Sequence, residues 1–282
     1  MGICIGKIKI SRPLPNPEEM ILTPNNSSNN SEQFRFADGR RYHNVESATY
    51  FLPNDSEECD RLHLQHSMER FIWQSAGSWA LEMAAKYSKS KFIGMDISQV
   101  QPEENIPPNV EFIQGNLLER LPFDDNTFDF IFQRFLFVGI PADKWPSVIN
   151  ELVRILKPGG YLELVENDLH YETMGPASRK LIEAFTILFH EHGLNPSACY
   201  KIQNYLEEND QLHNVHYEQK KHLDEQSIAK VCKLLAEDYS SALANVKPKL
   251  MNKVNVSSDE YDRLVKEMEK ETIELESFNP HF

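Results

Sequence analysis

The chain has no excess of positive charge: 29 lysines and arginines stand against 43 aspartates and glutamates, for a formal net charge of −14 over 282 residues. A nucleic-acid backbone needs clustered cations for its phosphates, so this balance argues against nucleic acid as the main partner. Cysteine is scarce as well. Cys4, Cys59, Cys199 and Cys232 are scattered with no CxxC spacing, which fits reduced intracellular thiols better than a disulfide framework or a zinc site. No apolar run approaches the length of a membrane span, and no cleavable signal-peptide pattern is visible. The expected location is therefore intracellular and cytoplasmic, with membrane association or a nuclear location left open.

What is present is ordinary globular material, 40% hydrophobic and 26% charged, in a length that suits one sizeable α/β domain with additions. Residues 91–166 alternate short apolar runs, turn clusters and amphipathic stretches in the order of a parallel α/β sheet. The run KFIGMDIS ends on Asp96, at the carboxyl end of an expected buried strand, where open α/β sheets bind ligands. A carboxylate there can accept two ribose hydroxyl protons. In NVEFIQGNLLERLPFDDNTFDFIFQRF the pattern predicts a strand over 110–114, a turn at Gly115 and Asn116, and a polar turn over 124–127. A second strand over 128–132 follows, with Gln133 and Arg134 at its end. Trp145, Val148, Ile149, Leu152 and Leu156 share one helical face, and Pro158, Gly159 and Gly160 stop that helix before YLELVE returns as a strand.

The ends of the chain differ from this middle. MGICIGKIKI places Gly2, Cys4 and the basic Lys7 and Lys9 at the start, which reads either as a dual lipid anchor or as a frayed terminus. Residues 11–30, rich in Pro, Asn and Ser, read as a disordered linker. We therefore divide the chain into a disordered tail over 1–43 and a domain over 44–282. In YFLPNDSEECDRLHLQH a Pro-Asn-Asp turn precedes a helix with an acidic first turn. His63 and His66 share a face of that helix but lack a further clear ligand for a metal. Downstream, Leu181, Phe185, Leu188 and Phe189 recur at helical spacing before Gly193, and a second helix is expected over 198–208. HNVHYEQKKHL alternates like a late strand. Ile228, Val231, Cys232, Leu235, Tyr239, Ala242 and Val246 form an apolar helical stripe. A last helix starts near Ser257, with Tyr261, Leu264, Val265 and Met268 on one face and Asp262 paired to Lys266.

The words MDIS, GNLLERLPFDDNTFDFI and ELVRILKPGGYLELVE, in this order, resemble the class I S-adenosylmethionine (SAM) dependent methyltransferases. The likeness is to the fungal branch that includes regulators of secondary metabolism, and it runs from about Asn44 onward. The resemblance implies a Rossmann-like α/β sheet with an N-terminal helical lid around YFLPND, Glu58, Arg61, Leu62 and His66, and with C-terminal helices. It implies SAM as cofactor, Asp96 on the ribose hydroxyls, Asn116 and Leu117 flanking the adenine, and Gln133 at the methionine end. Each has a structural alternative: Asp96 and Asn116 can serve their own turns, and Gln133 can satisfy a strand end.

Against the same family the central first strand and most of the glycine-rich turn are missing, for Gln74 to Ser78 run almost directly into the helix WALEMAAKY. Gly77 survives at the mouth of that helix, about twenty positions before Asp96, as nucleotide folds require. Two accounts fit the gap. Either Phe71, Ile72 and Trp73 replace the strand, or the sequence comes from a transcript or gene model lacking an exon. The implied activity is methyl transfer to a small-molecule or protein acceptor, with Glu166, Asp168 and His170 as candidate acceptor bases. The alternative is a catalytically inactive, methyltransferase-like interaction protein.

Overall fold

The protein is described here from a computed structural model, over residues 34–45, 49–55, 57–58, 78–98, 106–166, 174–218 and 225–275. The first elements are strands β1 (Phe34–Ala37) and β2 (Arg40–His43), an antiparallel hairpin in which Phe34 faces His43 and Ala37 faces Arg40. Its turn residues, Asp38 and Gly39, have φ values of 51° and 75°. Left-handed backbone at both positions is what a tight hairpin with right-twisting strands demands, and Asp-Gly supplies it cheaply. This corrects the tail assignment, since part of the expected disordered stretch is a folded hairpin.

Strand β3 (Phe92–Asp96) pairs in parallel with β4 (Val110–Gln114), and β5 (Phe128–Arg134) pairs in parallel with β6 (Leu156–Val165). The α/β order expected from sequence is present, but as separate two-stranded sheets, and among the described residues no strand joins them. Among the described residues the break falls where the expected central strand would pair on both sides. Its consequence is visible in β5, where Phe130 is 42% exposed although mid-strand residues of parallel sheets are normally covered on both faces. Helix α1 (Ser78–Lys86) contributes the contact across the break. The Trp79 ring stacks on Phe132 with centroids 4.5 Å apart, and meets Phe130 at 6.2 Å and Phe92 at 6.3 Å. One indole thus touches both half-sheets.

Helix α2 (Trp145–Ile155) buries Trp145, Val148, Ile149 and Leu152, as its apolar spacing predicts. It ends earlier than the sequence suggests. Leu156 already has extended backbone (φ −81°, ψ 129°) and the KPGG residues belong to β6. The pyrrolidine ring of Pro158 disfavours helical backbone at the residue before it, so the helix breaks upstream of the proline. Gly160 is a packing glycine: a Cβ there would lie 2.8 Å from Leu156 Cδ1 and 3.0 Å from the Asp129 carbonyl oxygen.

The C-terminal part is helical, comprising α3 (Pro176–Glu191), α4 (Cys199–Glu207), α5 (Glu225–Asn245), α6 (Lys247–Val254) and α7 (Ser258–Glu274). Helix α7 packs on α3 and α5, burying Leu181, Phe189, Val231, Cys232, Tyr261 and Met268. Helix α3 begins with Gly175 as N-cap, which brings no side chain to its amides. Glu271 of α7 supplies the cap, accepting from the Ala177 amide at 3.0 Å and from the Ser178 amide and hydroxyl, both at 2.7 Å. Two expectations are corrected here. Asp262 pairs with Lys247 at 2.5 Å, a salt bridge between helices, where the helical spacing suggested Lys266. Of the expected late strand, residues 213–218 are not a strand and residues 219–223 lie outside the described residues; alternation builds a strand only where a neighbouring edge offers partners.

Candidate cofactor site

The site grows from the carboxyl ends of the strands. Strand β3 delivers Asp96, and β4 turns back at Gly115, whose amide donates to the Asp96 carbonyl at 2.9 Å. The Asp96 side chain accepts from the Ser98 amide through Oδ1 at 2.8 Å. Burial pushes its carboxyl above the usual carboxylate range, against the backbone hydrogen bonds from Ser98 and Ile97. Asn116 closes an Asx-turn: Oδ1 accepts from the Leu118 amide at 3.0 Å, and Nδ2 donates to Glu119 Oε1 at 2.9 Å. Leu117 is partly buried against the core. Asp96, Asn116 and Leu117 therefore stand on one half-sheet, at neighbouring strand exits.

Gln133 stands on the other half, buried at the end of β5. Its Nε2 donates to Glu166 Oε1 at 3.4 Å, while its buried Oε1 has no hydrogen-bond partner among the described residues. Glu166 is 2% exposed, and its carboxylate accepts from the amides of Leu136 and Phe137, each at 3.0 Å. Those successive donors are aimed by Phe135, whose φ of 52° is rare for a bulky residue. Burial pushes the Glu166 carboxyl up to about 7, against the Leu136 and Phe137 amides, Gln133 and the charge of Arg134. Glu166, a candidate acceptor base by its place at a strand end, is thus also a buried clamp on the turn after β5. Gly77, Gly2, Cys4, His63, His66, Asp168, His170 and the run from Phe71 to Trp73 lie outside the described residues.

Sequence reasoning missed how the YFLPND segment is tied down. The Thr49 hydroxyl donates to the Gly139 carbonyl at 2.9 Å, in the turn after β5, and Asn54 Nδ2 donates to Ser98 Oγ at 3.0 Å, beside Asp96. The segment thus spans the exits of both half-sheets. Phe51 packs edge-on to Phe189 at 5.3 Å and Phe185 at 6.1 Å. Asp55 accepts the Glu58 amide at 3.2 Å, capping the short helical start. Asp55 also takes a two-point contact from Arg40, at 2.5 and 2.7 Å, whose hydrogen bonds hold its carboxyl down to about 2. Behind it, Asn245 of α5 accepts from Arg40 and donates to the buried Glu58 at 2.7 Å. The signals that could have found it are Asp38-Gly39 as a hairpin turn and the polar pair Asn54 and Asp55 after the apolar Phe51 and Leu52.

A cavity of about 290 Å³ lies at the amino ends of β5 and β6, lined by Asn126, Arg154, Lys157, Gly159, Gln211 and His213 among others. It is at the opposite end of the strands from Asp96, where open α/β sheets do not place their ligands. Among the described residues no group of three or more His, Cys, Asp or Glu is arranged to hold a metal ion, and no helix is long and apolar enough to cross a membrane.

Residues 74–160, which contain Asp96, Asn116, Leu117 and Gln133, match the family described as Methyltransferase domain. Residues 74–160 are thus a methyltransferase domain, and the described strands and helices follow the α/β order expected of one. The chain is similar to fungal methyltransferases and to regulators of secondary metabolism. It is 32% identical over 161 residues to methyltransferase pytC of Aspergillus terreus, a match covering 50% of this chain and 48% of pytC. It is 31% identical over 171 residues to the protein-methionine methyltransferase laeA of Emericella nidulans, covering 50% of this chain and 43% of laeA. These matches span about half the length of the curated relatives. Among solved structures, the 4+2 cyclase SpnF aligns at 18% identity with a TM-score of 0.42, over 70% of this chain and 68% of its own.

Proposed function

We propose that the protein is a SAM-dependent methyltransferase acting on a small-molecule or protein acceptor. The observation that carries this reading is Asp96: a carboxylate at the exit of a parallel strand, oriented by the Ser98 amide, with Asn116 and Leu117 at the adjacent exit and all of them within the matched domain. Methyltransferases of this fold generally use SAM, and the described residues fit its adenosine half. Asp96 would take the ribose hydroxyls, and Asn116 and Leu117 would border the adenine. Gln133 Oε1, a buried acceptor without a partner among the described residues, suits the ammonium group of the methionine half. The remainder of that half falls to the turn at Gly77.

When bound, the cofactor supplies an electrophilic methyl group. The protein's part is to hold donor and acceptor in contact, since orientation alone accounts for much of the acceleration of such displacements. Among the similar fungal proteins one is a protein-methionine methyltransferase and another an N-methyltransferase, which supports leaving the acceptor class open. The test is transfer of a tritiated methyl group from SAM to panels of small molecules and proteins. Label should move with the wild type and fall at least about tenfold with Asp96→Ala; equal transfer by the variant would remove Asp96 from the site.

A second reading, an inactive interaction protein, is favoured by the break between the half-sheets. It predicts no label transfer and no cofactor uptake. We also carry the N-terminal pattern forward as a proposal, with acyl chains on Gly2 and Cys4 giving peripheral membrane association. A Gly2→Ala protein should then shift from membrane to soluble fractions, and an unchanged distribution would exclude the anchor.

A further inference from the structure

We infer that Asn54 is a positioning residue for the Asp96 carboxylate, acting through Ser98; its ligand-dependent part rests on the SAM reading given above. The geometry is a continuous relay. Asn54 Nδ2 donates to Ser98 Oγ at 3.0 Å, and the Ser98 amide donates to Asp96 Oδ1 at 2.8 Å. Both intermediates are buried, Asn54 at 6% and Ser98 at 5% exposure, so water does not readily replace the bond between them.

Asn54 is itself fixed before it reaches Ser98. Its amide donates to the Arg41 carbonyl at 2.8 Å, its Oδ1 accepts from Arg41 Nε at 3.1 Å, and its carbonyl accepts from Arg41 Nη2. Strand β2 therefore orients the Asn54 amide, and Asn54 in turn orients the loop that follows β3. A ribose contact needs its carboxylate in one rotamer, and the Ser98 amide selects it. Because the same segment reaches the Gly139 carbonyl through Thr49, the exit of β5 is referenced to the same scaffold. This is the second use of YFLPND: beyond covering the crevice, it sets the direction of the cofactor carboxylate. By reciprocity, a ligand on Asp96 that prefers this arrangement must also favour the seated YFLPND segment.

The test uses the full chain with Ser98→Ala and Asn54→Leu, singly and combined. The first readouts need no ligand: amide hydrogen exchange at position 98 and the carbon-13 NMR titration of the Asp96 carboxyl. Losing the relay should speed exchange at position 98 by about tenfold or more, and should move the Asp96 titration to higher pH, because a bond favouring the charged form is loosened. The second readout is affinity for S-adenosylhomocysteine, which should weaken about fivefold to twentyfold in either single variant, with the double variant no worse than the weaker single. Asn54→Leu also removes a contact to Arg41; Ser98→Ala keeps the test available should that variant fail to fold. Unchanged exchange, titration and affinity in a folded Ser98→Ala protein overturn the role of Asn54 while leaving the methyltransferase reading intact. A folded wild type that takes up no S-adenosylhomocysteine overturns the cofactor reading instead, and with it the ligand-dependent part of this inference.

Discussion

Trp79 stacks on Phe132 with ring centroids 4.5 Å apart and planes 18° from parallel, and the same indole reaches Phe92 on the other half-sheet at 6.3 Å. A large ring that touches both halves contributes more than its own burial, because among the described residues no strand pairing joins them. Trp79→Ala should destabilise the fold by about 2–4 kcal/mol, below the usual range for fully buried tryptophan because the side chain is only half-buried. Urea unfolding measures it. A loss under about 0.5 kcal/mol, the scale of an ordinary surface substitution, would mean the indole bridges nothing of consequence.

Glu166 makes stability depend on pH in a direction opposite to most acidic residues. Its folded carboxyl titrates at about 7 against an ordinary 4.5, chiefly through burial. Between those values the folded state holds a proton that the unfolded state has released, so this group's contribution falls as pH rises through the window, by about 3 kcal/mol at most. Glu166→Gln stays neutral throughout and should flatten the slope, gaining on the wild type between about pH 5.5 and 8. Denaturation of both proteins at the two ends of the window tests this. A gap between them that does not change with pH would contradict it.

Glu271 works the other way. Burial alone would raise its carboxyl, but the Ser178 hydroxyl and the Ser178 and Ala177 amides outweigh it and leave it lowered. Its stabilisation is present above the ordinary carboxylate range and is lost as pH falls through the lowered value. Glu271→Ala leaves buried donors at the start of α3 without their cap and should cost about 2–4 kcal/mol. Gly175→Ala should also destabilise, since a Cβ there runs into the Glu271 carboxylate. Thermal unfolding of each variant gives the answer, and a neutral Gly175→Ala would show that the α7 cap on α3 is not seated as described.

The middle of the chain was readable because its periodicities are strong and local. The apolar runs ending at Asp96 and Gln114 are strands, and the face of Trp145, Val148, Ile149 and Leu152 is buried. The order of motifs also placed the gap, for among the described residues the parallel strands form two separate pairs. What escaped the sequence depends on distant partners. Residues 213–218 alternate like a strand but pair with no strand among the described residues, and Asp262 reaches across to Lys247, which no helical spacing reveals. Glu166 stands at a strand end as a catalytic base would, yet the left-handed Phe135 turns two amides onto it. The Asn54 relay to Ser98 joins residues too far apart for any local pattern to pair them.

The proposed function requires that the strand exits around Asp96 receive the cofactor although, among the described residues, no strand joins the two half-sheets. Calorimetric titration of S-adenosylhomocysteine into the 282-residue protein tests it most directly, with circular dichroism on the same sample to establish folding. The expected result is a folded protein with saturable binding that Asp96→Ala weakens at least about tenfold. A folded protein that takes up no S-adenosylhomocysteine would contradict it and leave the interaction-protein reading in its place.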